Sequence, residues 1–195
     1  MCNNEQDMTF NFRIMEAKGP VSDRFLSEGI ADFQQAASFV RHLPYRRNTD
    51  KADPLILFRE ACGTCSTKHA ALRLLAVEQG HTAVALCMGI FKMNRNNTPR
   101  VAPVLDRYQL PFMPEAHNYL RIAGVILDCT GVGTVAGDFE RELMEELNIE
   151  PDQIGTFKVE YHKAFIKKWQ EQVALPYSPE ALWDIREACI AALSV

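Results

Sequence analysis

Apolar residues recur at helical spacing through "DFQQAASFVRHL", Asp32 to Leu43, and predict a helix there. It ends before "PYRRNTDKADP", a loop rich in Pro, Asn and Asp. Upstream, "TFNFRIMEA" alternates apolar with polar positions and suggests a short strand. "LILF" is a short apolar block. From Ser66 to Gln79 the chain carries good helix formers and no internal Gly or Pro, and Gly80 is placed as its stop. Its apolar residues, from Ala70 to Val77, cover most of the circumference, so this helix is expected in a core. "TAVALCMGIFKM" predicts a strand. "VAPVLDRYQLPFMPEA" carries three prolines and reads as irregular.

"HNYLRIAGVILDCTG" reads as two strands around a tight turn, and "AGDFERELMEELNI" shows helical periodicity with an acidic, solvated face. Two helices are expected from Val159 onward, the second beginning with Ser178 as N-cap and Pro179 in its first turn. Strands do not alternate with helices, so the fold class is α+β. We expect a single domain over residues 1–195, with a core at about 31–135 and a C-terminal helical extension at about 137–195.

The hairpin places chemistry. With Ala123-Gly124 as a two-residue turn, Ile122 faces Val125, Leu120 faces Leu127 and Asn118 faces Cys129. That face is mostly apolar. The opposite face then carries His117 and Asp128 as diagonal neighbours, within reach of a hydrogen bond. A turn of odd length would separate them. A carboxylate beside an imidazole fixes its tautomer and favours its protonated form.

The second chemical signal is "ACGTCSTKHAALRLLAVEQG", with Cys62 and Cys65 in C-x-x-C spacing ahead of the buried helix. Such a pair holds a metal, cycles as a disulfide, supplies one nucleophile, or is buried and inert. Cys65 falls at the helix start, where unpaired N–H groups and the dipole favour thiolate over thiol. In a redox reading Cys62 would be the reactive thiol, but the expected βαβ setting is missing. In a metal reading Cys62, Cys65 and His69 would be ligands, but no second Cys/His pair follows. A binding module without catalysis is a further alternative.

Composition narrows the partners. The chain has 195 residues, 47% hydrophobic and 24% charged, with a formal net charge of −4. No basic run appears, so nucleic acid is not an expected partner. No apolar run approaches the roughly 20 residues of a membrane span, and the N-terminal residues lack the pattern of a signal peptide. The six cysteines are scattered, which suits a reducing cytoplasm better than a disulfide framework. We therefore expect a cytoplasmic protein with no cofactor and no metal, acting on a small molecule or peptide.

"GTCSTKHAALRLLAVEQG" resembles the Gly-x-Cys helix of transglutaminase-like proteins, members of the wider papain-like group. "HNYLRIAGVILDCTG" resembles their His strand followed by an Asp strand. The likeness spans roughly Leu43 to Gly131. It departs at Ser66, where the family usually has an aromatic residue, at Asn118-Tyr119, where Trp is frequent, and in a shorter hairpin. The resemblance implies a buried helix packed on an antiparallel sheet. It also implies acyl transfer or amide or ester hydrolysis by Cys65, His117 and Asp128. Arg59, His69, Asp106, Tyr108 and Tyr119 are further candidates to line a substrate pocket.

Overall fold

The computed structural model describes residues 10–132 and 136–193. The fold is α+β, built on a four-stranded antiparallel sheet in the order β3-β2-β1-β4. The strands are β1 (Ala85–Met93), β2 (Met113–Ile122), β3 (Val125–Leu127) and β4 (Leu143–Ile149). The helices are α1 (Pro20–Ser27), α2 (Phe33–His42), α3 (Ile56–Arg59), α4 (Cys65–Glu78), α5 (Ala102–Arg107), α6 (Ala136–Glu140), α7 (Thr156–Val173) and α8 (Pro179–Leu193). Among the described residues no helix is long and apolar enough to cross a membrane.

Alternation along β1 creates two cores. Leu86, Met88 and Ile90 face one side and pack with Ala71, Leu72 and Leu75 of α4 and with α1 and α2. Cys87, Phe91 and Met93 face the other side and pack with Ile166 and Trp169 of α7 and Leu182 and Ile185 of α8. α4 is accordingly buried from Cys65 through Leu72. Its polar residues are absorbed rather than solvated. Lys68 is fully buried, and its ammonium donates to the carbonyls of Leu43 at 2.6 Å and Thr130 at 2.7 Å. Glu78 accepts from the N–H groups of Val21 (3.1 Å) and Ser22 (2.6 Å), satisfying orphan donors at the start of α1.

The hairpin forms with the expected pairing, Ile122 opposite Val125 and Leu120 opposite Leu127. Ala123 (φ 49°) and Gly124 (φ 85°) both take positive φ, as a tight two-residue turn requires. The ladder ends at Leu120 and Leu127, so Asn118 and Cys129 are not paired. α8 begins as expected, with the Ala181 N–H donating to Ser178 Oγ at 3.2 Å.

Three local expectations are corrected. "AGDFERELMEELNI" is not one helix but the short α6 followed by β4. Leu143 and Leu147 fit a helical stripe, but the free edge of β1 needs a hydrogen-bonding partner and takes this segment. A bulge opposite Ile90 and Phe91 then turns Leu143 toward the second core while Leu147 and Ile149 stay with the first. The proline-rich segment is not irregular throughout. A 3-10 turn at Pro99–Val101 leads into α5, and β2 already begins at Met113. The expected N-terminal strand is reduced to one bridge, Arg13 to Asp32; Thr9 of that stretch lies outside the described residues.

Candidate active site

Cys65 opens α4. The residue two before it, Gly63, sits where a Cβ would lie 2.9 Å from Thr67 Oγ1 and 3.1 Å from Lys68 Cγ. Glycine lets the chain run this close to the helix it is about to enter. Gly63 also bridges in parallel to Tyr45, which brings the Tyr45 ring to the cavities around Cys65.

His117 comes from β2 and Asp128 from the residue after β3. His117 Nε2 lies 2.8 Å from Asp128 Oδ2. With Nε2 engaged there, Nδ1 is the ring nitrogen left for the Cys65 thiol, which shares the wall of one cleft with His117 and has its pKa lowered under the influence of the imidazole. Asp128 is 4% exposed, and its Oδ1 accepts from the Thr130 N–H at 2.8 Å, which fixes the carboxylate plane. The rings of Phe139, Tyr119 and Phe91 surround the imidazole at centroid distances of 4.8, 5.9 and 6.1 Å. Cys65, His117 and Asp128 thus stand in one line from helix start to hairpin end, in the wall of one cleft.

Electrostatics set their protonation. Burial alone would push the Cys65 thiol up. The Lys158 ammonium and His117 outweigh it, the Asn118 N–H adds a hydrogen bond to sulfur, and the thiol comes down to about 6. Burial opposes a charge on His117, but Asp128 and the Cys65 thiolate raise it to about 10. For Asp128 burial acts upward too, yet His117 holds the carboxyl well below the usual carboxylate range. Between about pH 6 and pH 10 the resting pair is therefore thiolate and imidazolium.

Lys158, near the start of α7, is a member of this cluster that sequence reasoning missed. Its Nζ lies 2.6 Å from Asn118 Oδ1, 3.0 Å from Ser66 Oγ and 3.8 Å from Cys65 Sγ. Both close partners are neutral oxygens, so its charge is compensated at the thiol. A signal was present. Lys158, His162, Ile166 and Trp169 form the buried stripe of α7, and a lysine on such a stripe calls for a partner. Asn118 was likewise missed. The end of the β3 ladder leaves its N–H free to turn to sulfur.

The other candidates do not line the cleft. Arg59 is an exposed partner of Asp53 at 2.7 Å. Asp106 pairs with Arg95 on the surface. The Tyr108 carbonyl accepts from the Tyr177 hydroxyl at 2.9 Å. Tyr119 is fully buried and its hydroxyl donates to Glu146. His69 is fully buried with both nitrogens engaged. Nδ1–H donates to the Cys65 carbonyl at 2.7 Å and Nε2 accepts from the Cys129 N–H at 2.7 Å. Burial brings its pKa down to about 4, so it is a neutral clamp between α4 and the Asp128 loop.

The two thiols of the C-x-x-C pair have separate surroundings. Cys62 takes hydrogen bonds from Arg46 Nε at 3.4 Å and, more weakly, from Asn48 Nδ2 at 3.8 Å. Cys65 faces His117 and Lys158. Among the described residues no three His, Cys, Asp or Glu side chains converge as a metal site. A cleft of about 420 Å³ opens over the line, with Cys65, His117, Asp128, Thr130, Phe91 and Phe139 in its wall. Comparison with protein-family models, curated proteins and solved structures gives no match.

Proposed function

We propose that this chain is a cysteine-nucleophile hydrolase or acyltransferase acting on an amide or ester, of transglutaminase-like design. The observation that carries this reading is the grouping of Cys65 with the hydrogen-bonded pair His117–Asp128 in the wall of one cleft, with the thiol brought down to about 6. A buried thiol of structural purpose has no need of an adjoining imidazolium and ammonium.

The chemistry follows from the protonation states. The Cys65 thiolate attacks the substrate carbonyl, forming a C–S bond and a tetrahedral oxyanion. The N–H of Cys65, in the first turn of α4 with no intrahelical acceptor, donates to that oxyanion. The intermediate collapses as the C–N or C–O bond breaks. The leaving group takes the proton of His117, which then acts as base for a water or an amine attacking the thioester. Asp128 keeps the imidazole oriented throughout. A thiol nucleophile of this kind works in a reducing compartment, and the cytoplasm is our proposed location.

Mass-resolved alkylation combined with amide and ester activity probes tests the reading. Cys65 should label fastest of the described cysteines, with a rate rising through about pH 6, and Cys65→Ala should abolish every turnover found. Cys65 labelling no faster than Cys62, and indifferent to His117→Ala, would leave a binding module as the better account.

A further inference from the structure

A second cavity adjoins the main cleft, shares Cys65, Tyr45 and Glu115 with it, and has a volume of about 170 Å³. That is about six water volumes, room for a short side chain and not for a macromolecule. Its wall carries four cations, Arg47, Lys51, Lys158 and Arg186, against two carboxylates, Glu115 and Glu187. The carboxylates are already committed. Arg186 Nε lies 2.7 Å from Glu115 and its Nη1 lies 2.6 Å from Glu187, while Arg47 Nη2 lies 2.7 Å from Glu187. Lys158 has the Cys65 thiolate for its counter-charge. Lys51 has no carboxylate partner among the described residues, and it is half-buried.

We infer that this second cavity is a carboxylate-binding subsite, so that the substrate acylating Cys65 carries an anionic group a few atoms from its reacting carbonyl. The inference rests on the nucleophile reading above and extends it to substrate class. Two observations support it. The cations outnumber the carboxylates by two, and the thiolate balances one of them only until the thioester forms. After acylation Lys158 and Lys51 both face the cavity uncompensated, and a substrate carboxylate restores the balance. Lys51 is held below its ordinary pKa, first by burial and then by Lys158, a strain that a bound anion relieves.

Two alkylating reagents of nearly equal size provide the test, since iodoacetate is anionic and iodoacetamide neutral. Their rates at Cys65 are measured on the whole chain at low ionic strength, as a ratio relative to a small free thiol. Neighbouring cations at Lys158 and His117 raise that ratio in any case, so the decisive comparison is Lys51→Gln. The ratio should fall about fivefold in Lys51→Gln, the scale of one screened charge at close range, while the iodoacetamide rate stays within about twofold. Succinate should protect Cys65 from iodoacetamide in the wild type and much less in Lys51→Gln. An unchanged ratio in Lys51→Gln together with no protection by succinate would overturn the subsite and leave the nucleophile standing. A Cys65 inert to both reagents would instead remove the nucleophile reading, and the subsite with it.

Discussion

Around the first turn of α4 stand a pair of cysteines, Cys62 and Cys65, a pair of histidines, His69 and His117, and a pair of lysines, Lys68 and Lys158, and each pair divides the same way. His69 and His117 both lie near Asp128, at 3.6 Å and 2.8 Å, yet one is brought down to about 4 and the other raised to about 10. The difference lies in their remaining bonds. Both nitrogens of His69 are spent on backbone groups that require one donor and one acceptor, which fixes it as neutral. His117 spends one nitrogen on the carboxylate and meets the thiol with the other, which favours the cation. Lys68 gives its ammonium to two backbone carbonyls. Lys158 gives two donors to side-chain oxygens and faces sulfur with its charge. Cys62 is bound by a loop, and Cys65 by the charged groups. Residue type does not separate scaffold from chemistry here; what separates them is whether any bonding capacity is left facing the cleft.

Removing the shared carboxylate's charge should have the largest effect. In Asp128→Asn the hydrogen bond to His117 can form while the charge that raises the imidazole is gone, and the amide favours the wrong tautomer. Turnover should fall on the order of 10⁴-fold, the scale seen when a triad loses its carboxylate. The Cys65 labelling rate near pH 7 should fall with it, because the imidazolium that stabilises the thiolate is lost. Full activity in Asp128→Asn would reduce Asp128 to a scaffold residue like His69.

Replacing His69 should give the opposite profile. His69→Leu leaves the Cys65 carbonyl and the Cys129 N–H without partners in a dry site, and should cost roughly 2–4 kcal/mol in unfolding free energy. The labelling midpoint of Cys65 should stay near 6 in the variant if it remains folded. The wild type should show the linkage directly. A histidine whose folded pKa lies below its unfolded value of about 6.5 binds more protons when unfolded. Its contribution is fully present above about pH 6.5 and declines as pH falls toward 4. Urea midpoints at pH 7 and pH 5 for both proteins measure it, and a pH trend as steep in the variant as in the wild type would put the effect elsewhere.

Lys158→Met comes next in size. The methionine fills the stripe of α7 while removing the ammonium, so the thiol should rise from about 6 by about one unit or more. Labelling at pH 5.5–6 should then drop about tenfold, and recover at pH 9 where the thiolate forms unaided. Lys158→Arg should restore part of the low-pH rate by its charge. An unchanged midpoint in Lys158→Met would leave His117 and the Asn118 N–H as the groups that depress the thiol.

These comparisons also show what the chain discloses by itself. α4, Cys65, His117 and Asp128 follow from short-range patterns: a helix start, a two-residue turn, and alternation along two adjacent strands. The paired registers of β2 and β3 depend on residues within a dozen positions of one another. Lys158 lies 93 residues beyond Cys65, and β4 is recruited by the free edge of β1. Neither event has a local cause, so periodicity assigned β4 to a helix. His69 shows the converse limit. Its place one turn after Cys65 is plain, but the Cys129 N–H that consumes its second nitrogen is visible only in three dimensions.

The smallest expected effect is at Cys62, and its smallness is informative. Cys62 is 1% exposed, and its sulfur accepts from Arg46 in the loop that carries Tyr45. A serine hydroxyl accepts the same bond from a slightly shorter reach, so Cys62→Ser should cost about 1 kcal/mol of stability. Labelling of Cys65 and any turnover should stay within about twofold of the wild type, because neither His117 nor Lys158 touches Cys62. The alternatives for the C-x-x-C pair require something else. A disulfide-cycling pair loses its function when either thiol goes, and a zinc site loses its metal. Mass-resolved alkylation of the wild type, Cys62→Ser and Cys65→Ser, with metal analysis of the same samples, distinguishes the three. A tenfold loss in Cys62→Ser would bind the two thiols into one device and end the division drawn between them.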